Sequence, residues 1–361
     1  MINRFSFSLD MWRDFIHIVP FLIKISLNMK THLFLVATLL MAFCSCTTKK
    51  SQEEVSVQSL THEVLMDGIT GELTLMNDSI AVVVNHESDS AFWILNLSQM
   101  KVDKLGKIDE GFDDFLLPSS IKGNSFSIYD MNKKRFSTFF LNKEDYSWKL
   151  EHLFNSDSLT HFNIHLIQNN RYVATGFYEN CQLMLLDEKG TIIKRIGELP
   201  YRDEVEKKVS GEVRSEVYQG TLAVSPSKKK VVFATLYGDM IYFYDVLSNG
   251  ELALKFKQEN AYAEYDYEDF LYGMHFIFSP YYFVDVCLTD DYVYALYFGK
   301  QRDNKLGAYK SNLIRVYDWD GTLVKEFQLD IDVNQIAVTK DNQKVYAIAD
   351  LPDPVLVIFE L

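Results

Sequence analysis

Rings alternate with carboxylates in Tyr262-Ala-Glu-Tyr-Asp-Tyr-Glu-Asp-Phe-Leu-Tyr-Gly-Met-His-Phe276, the stretch of this chain richest in side chains able to grip a ligand. Tyr262, Tyr265, Tyr267, Phe270, Tyr272 and Phe276 are suited to stacking on a sugar or holding a peptide or partner protein, because aromatic side chains carry large apolar area on few rotors. The competing role is packing: the same rings can fix the segment to the rim of the fold.

Other constellations argue against themselves. His161 and His165 lie four residues apart, and on a strand that spacing is about 13 Å, too far to share one ion. Asp330, Asp332 and Asn334 begin like a calcium loop, yet the glycine and closing Glu of such a loop are missing. The chain contains no Gly-x-Ser-x-Gly elbow, no His-Glu-x-x-His, no glycine-rich phosphate loop and no repeated Ser-x-Asp-x-Gly-x-Thr-Trp box. No catalytic residue, metal ligand or cofactor is therefore assigned, and a binding role is favoured over an enzymatic one.

One cysteine does carry a chemical expectation. Met29 to Cys46 has a basic start, an apolar run from Leu33 to Phe43 and small residues before a cysteine, the organisation of a secretory signal. The run is too short to span a bilayer, which takes about 18 apolar residues or more. The segment resembles the signal of a bacterial lipoprotein, in which Cys46, preceded by the small Ser45, is lipidated and becomes the first mature residue. Cys44 follows the bulky Phe43 and fits less well. Residues 1–45 then read as an over-extended start plus signal peptide, 46–59 as a polar lipidated tether and 60–361 as the folded domain. Gln52-Glu53-Glu54 is similar to the acidic export tags of some surface lipoproteins. The expected location is the cell envelope, lipid-anchored, at the outer membrane.

Net charge is −14, and loss of Arg4, Arg13, Lys24, Lys30, Asp10 and Asp14 with the leader leaves −16. A chain this acidic is not expected to bind nucleic acid, or a membrane other than through its lipid. The two remaining cysteines, Cys181 and Cys287, fall in different repeats and read as buried free thiols in strands.

The repeats give the architecture. A polar residue ends a strand before a turn at Asn96, Asn142, Asp187, Asp245, Asp318 and Glu360, mostly at the spacing of one four-stranded unit. Upstream of these lie hairpins such as Leu222-Ala-Val-Ser-Pro-Ser-Lys-Lys-Lys-Val-Val-Phe-Ala234, Ile164-His-Leu, Val286-Cys-Leu and Ile336-Ala-Val. Two hairpins make a four-stranded antiparallel sheet, and six such sheets predict an all-β, six-bladed β-propeller. The last copy has three strands, and Leu60 to Met66 supplies the fourth, so an N-terminal strand joins the C-terminal blade and closes the ring.

The hairpins of the form Val-Ser-Pro-Ser-Lys-Lys-Lys-Val-Val-Phe-Ala resemble those of TolB-like six-bladed propellers, and signal plus propeller resembles the TolB-like propeller lipoproteins of Gram-negative envelopes. That likeness implies blades and an envelope setting, and carries no shared catalytic residue.

Turns joining strands one to two and three to four are short, whereas Glu198 to Gln219, Gln258 to Tyr282 and Gly299 to Ser311 are long and all belong to blades 4 and 5. Long loops on a tight scaffold mark the expected working face. Two functions follow: a non-catalytic module binding an envelope protein, peptide or glycan through those loops, or a hydrolase or lyase of the lactonase or glycosidase type with its site at the central channel.

Overall fold

The computed structural model describes residues 53–65, 70–85, 90–99, 101–107, 116–122, 125–141, 148–156, 159–266, 279–300, 309–351 and 353–361. Two short strands come first, β1 (Glu53–Val57) and β2 (Ser59–Leu65). Blade 1 is β3 (Thr70–Asn77), β4 (Ile80–Asn85), β5 (Ser90–Asn96) and β6 (Lys101–Lys107); blade 2 is β7 (Leu116–Lys122), β8 (Ser125–Asp130), β9 (Arg135–Leu141) and β10 (Trp148–Asn155). Blade 3 is β11 (Asn163–Leu166), β12 (Tyr172–Thr175), β13 (Leu183–Leu186) and β14 (Ile192–Ile196). Blade 4 is β15 (Gly220–Val224), β16 (Lys230–Thr235), β17 (Asp239–Val246) and β18 (Leu252–Ala261). Blade 5 is β19 (Tyr281–Leu288), β20 (Val293–Lys300), β21 (Ser311–Tyr317) and β22 (Leu323–Val333); β23 (Gln335–Val338), β24 (Lys344–Asp350) and β25 (Pro354–Glu360) begin blade 6.

The innermost strands β3, β7, β11, β15, β19 and β23 each touch the next, and β23 returns to β3, so the six sheets form a ring around a channel. The ring closes as the repeats predict: β2 completes blade 6 against β25, antiparallel, from Ser59 opposite Phe359 to Leu65 opposite Val355. This is the expected six-bladed propeller.

One blade departs from four strands. β1 adds to blade 5 in parallel with β22, Glu53 beside Lys325 and Val57 beside Leu329. The stretch read as a polar tether is thus strand from Glu53 onward. Val57 explains part of this, since it is buried among Ile314, Phe327 and Leu329. Asp330, set aside as a calcium ligand, instead holds the start of β2, accepting Ser59 N–H at 3.1 Å and Ser59 Oγ–H at 2.9 Å.

Short polar turns fix the blades. Asp187 Oδ1 accepts the N–H groups of Lys189 and Thr191 at 2.9 and 2.8 Å, and Asp318 Oδ1 those of Asp320 and Thr322 at 3.0 and 2.9 Å. These side-chain turns explain why a polar residue recurs at that point. Gly321 finishes the second turn at φ +82°, and a Cβ there would lie 2.2 Å from the Phe256 ring. Trp319, in the same turn, donates Nε1–H to Asp290 O at 2.9 Å and meets Phe243 edge-on. It is scaffold.

Between blades the core follows strand alternation. Phe243 sits with Val232, Val286 and Tyr317 between blades 4 and 5; Tyr129, Phe136 and Phe154 pack against Tyr172 between blades 2 and 3. The connection from β14 to β15 is also packed rather than free. It contains α1 (Gly211–Val217), capped by Ser210, whose Oγ accepts Val213 N–H. Its fully buried Glu206 accepts the Tyr218 hydroxyl at 2.8 Å. No helix among the described residues is long and apolar enough to cross a membrane.

Candidate functional site in the central channel

Five inner strands share a four-residue pattern at the channel: Glu72-Leu-Thr-Leu75, Asn163-Ile-His-Leu166, Thr221-Leu-Ala-Val224, Asp285-Val-Cys-Leu288 and Gln335-Ile-Ala-Val338. The second residue of each (Leu73, Ile164, Leu222, Val286, Ile336) is buried in a core cluster between blades. Alternation then gives the first residue the opposite side of the strand. The result is a tier of polar residues: Glu72, Thr221, Asp285 and Gln335 line one cavity of about 470 Å³, and Asn163 reaches Glu72 from the next blade but one. His165 and Cys287 form part of the wall one pleat further on.

The cavity occupies the part of the channel running towards the one-to-two turns, where Asp78, Lys228, Thr289 and Lys340 line its mouth. It therefore opens on the short-turn face, whereas the long connections of blades 4 and 5 leave from the opposite strand ends. Loop length points to one face and the cavity to the other. The short turns at the mouth are held by their own hydroxyls: Thr289 Oγ1 accepts Tyr292 N–H and Thr339 Oγ1 accepts Lys344 N–H, each at 3.0 Å. Such turns present a rigid rim.

Electrostatics separates the two carboxyl groups. Burial raises Glu72 to about 8, the negative field of Asp285 adds to that, and a hydrogen bond from the Asn163 amide opposes it. Burial also raises Asp285, to about 6, but two backbone donors hold its anion, Val286 N–H and Ile336 N–H, each at 2.8 Å. At neutral pH Asp285 keeps the charge and Glu72 keeps the proton, as expected when two carboxyls feel each other in a low dielectric. Desolvation lowers His165 to about 4, with the Leu222 backbone as its hydrogen-bond partner, so its ring is neutral. Burial pushes the Cys287 thiol up to about 12, and its sulfur accepts Val338 N–H at 3.3 Å. Asn163 Oδ1 is buried without a hydrogen-bond partner among the described residues.

Of the aromatic residues favoured from sequence, Tyr262 and Tyr265 are described. Tyr265 is buried beside Val217 and Tyr218, and Tyr262 packs on the same cluster; neither lines the channel cavity. Tyr267, Phe270, Tyr272, Phe276 and Cys46 lie outside the described residues. His161 is buried away from His165, hydrogen-bonded through Nδ1 to the Tyr178 hydroxyl. Both cysteines are free, with Cys181 in the loop before β13 rather than in a strand. Among the described residues no three His, Cys, Asp or Glu side chains are grouped to hold a metal ion. The hairpins legible in the sequence begin at Leu222, Ile164, Val286 and Ile336, and Thr221, Asn163, Asp285 and Gln335 stand just outside them, as Glu72 stands before Leu73.

Two solved structures are similar in outline: the β-propeller domain of Myceliophteria thermophila Cps50 (Swd1), at 12% identity and TM-score 0.48 over 84% of this chain and 99% of that one, and Kuenenia stuttgartiensis hydrazine synthase, at 11% and 0.46 over 80% and 82%. No curated protein matches the chain. The family described as TolB-like 6-blade propeller-like matches residues 51–341. With that match covering most of the chain and six sheets closed on one ring, the protein belongs to the TolB-like six-bladed propeller family.

Proposed function

We propose that this protein is an envelope lipoprotein, anchored through Cys46, whose propeller is a non-catalytic binding module that takes a compact ligand into the channel from the short-turn face. The carrying observation is the cavity of about 470 Å³ with Glu72, Asp285 and Gln335 in its wall. That volume is in the range of small-molecule sites, and a few convergent polar groups among apolar ones is their usual composition. The rigid rim supports a preformed site. In this reading the Tyr262 to Phe276 insertion is the contact for an envelope protein.

The test fills the cavity without touching its carboxyls. Ala223 lines the wall, and Ala223→Trp would occupy the space. Acid extracts of the purified mature chain, analysed by mass spectrometry, are expected to contain a small molecule that the variant lacks. Identical extracts from both proteins would overturn the reading.

One observation favours a second function, a hydrolase at the same channel. A protonated Glu72 near an ionised Asp285 has the division of labour of a general acid and its partner carboxylate. Turnover of aryl glycosides or lactones that is lost in Glu72→Gln would establish it.

A further inference from the structure

The channel residues differ in sign along its length, and this narrows the ligand proposed above. Asp285 is the anion of the interior, 9% exposed and anchored by backbone donors from two blades. Near it Glu72 offers a further carboxyl, and Asn163, 8% exposed, leaves its Oδ1 without a partner among the described residues. The cavity interior therefore presents one negative charge and a second carboxyl, Asp285 and Glu72, to its occupant, which suits a ligand bearing a multi-hydrogen donor cation. At the mouth the two cations Lys228 and Lys340 share the rim with Asp78.

The separation of these ends sets the ligand's length. Ile336, whose N–H meets Asp285, precedes Lys340 by four residues, or about 13 Å along an extended chain. An extended peptide covers about 3.3–3.6 Å per residue, so three to four residues connect the two levels.

We propose that the channel binds a short peptide of three to four residues, its N-terminal ammonium against Asp285 and Glu72 and its C-terminal carboxylate at Lys228 and Lys340. The inference rests on the channel being a ligand site. The neutral Glu72 and charged Asp285 match a single ammonium: one partner of opposite charge and one neutral acceptor, without a second buried anion to desolvate.

The experiment is calorimetric titration of the mature chain with Ala-Ala-Ala, its N-acetyl form and its C-terminal amide. The free peptide is expected to bind, the N-acetyl form at least tenfold more weakly, and the amide several-fold more weakly. Asp285→Asn should abolish the preference for the free amine. Should that variant not fold, the exposed Lys340→Glu is expected to remove the preference for the free carboxylate and leave the preference for the amine intact. Equal binding of the acetylated and free peptides would overturn the proposal. If none of the peptides binds while the wild-type extract still holds a small molecule missing from Ala223→Trp, the peptide assignment falls and the channel site stands; if the extracts also agree, both fall.

Discussion

Asp285 on β19 accepts the backbone N–H of Ile336 on β23 at 2.8 Å, so one carboxylate is both a wall of the channel and a strut between blades 5 and 6. Replacing it by Asn keeps the shape but leaves one oxygen for two backbone donors, Val286 N–H and Ile336 N–H, so one bond is lost to an amide NH2 and the other loses its charge. Asp285→Asn is expected to lose about 1–3 kcal/mol of stability, measured as a lower urea midpoint with an unchanged slope.

Glu72 predicts a pH dependence whose sign is set by its raised value. A carboxyl group whose folded value exceeds its unfolded value binds more protons in the folded state, so its contribution is complete at low pH and lost as pH rises. For Glu72 the window runs from 4.5 to about 8, for Asp285 from 3.8 to about 6, and His165, lowered from 6.5 to about 4, acts in the opposite sense below 6.5. Between pH 6.5 and 8 Glu72 acts alone among these three channel groups. Urea midpoints should fall over that interval in the wild type, and Glu72→Gln should flatten the profile; an unchanged slope would assign the titration elsewhere.

Tyr265 and Tyr262 are separable by stability. Tyr265, buried, should cost about 3–5 kcal/mol when changed to Ala, the range for removing a core aromatic ring. Tyr262, half-buried on the same cluster, should cost clearly less. Equal losses in denaturant titrations would contradict this division between a packing residue and a rim residue.

The Asp318 to Thr322 turn admits little at its fourth position. Gly321→Ala combines a positive φ with a methyl group driven against the Phe256 ring, and a loss of about 1–3 kcal/mol is expected. Thermal melting of the variant, compared with an exposed Ser→Ala control, checks it.

Removing residues 53–57 should expose the edge of β22 and leave distant blades untouched. Hydrogen exchange is the readout: the alternate amides between Lys325 and Leu329 that face β1 should exchange faster, while those facing β21 and blade 2 stay near their wild-type rates.

Much of the fold was legible because turns and alternation are local. The Asp187 and Asp318 side chains bond their own turns, so their spacing counts blades without tertiary information, and three strands at the C-terminus demanded a fourth from the other end of the chain. The site was less so. A ring of single polar residues, one per blade, has no local motif; Glu72 and Asp285 are far apart in sequence and meet only through closure of the ring. The aromatic insertion drew attention for the converse reason, since composition is local and burial is not: Tyr265 carries the expected ring yet spends it on the core. β1 was hidden because five residues with two valines make a weak strand signal, and what orders them is an edge supplied by β22.

The parallel pairing of β1 also decides how this molecule meets force. A pull on the N-terminal segment along the line of β1 loads all five register pairs from Glu53–Lys325 to Val57–Leu329 together, as shear, instead of opening them one after another as an unzipping edge would. Beyond β1, Ser59 is tied to Asp330 and β2 is paired with β25, so tension passes to two blades at once. The strand acts as a strain relief, placed where the chain leaves the ring and ahead of the seam that closes it.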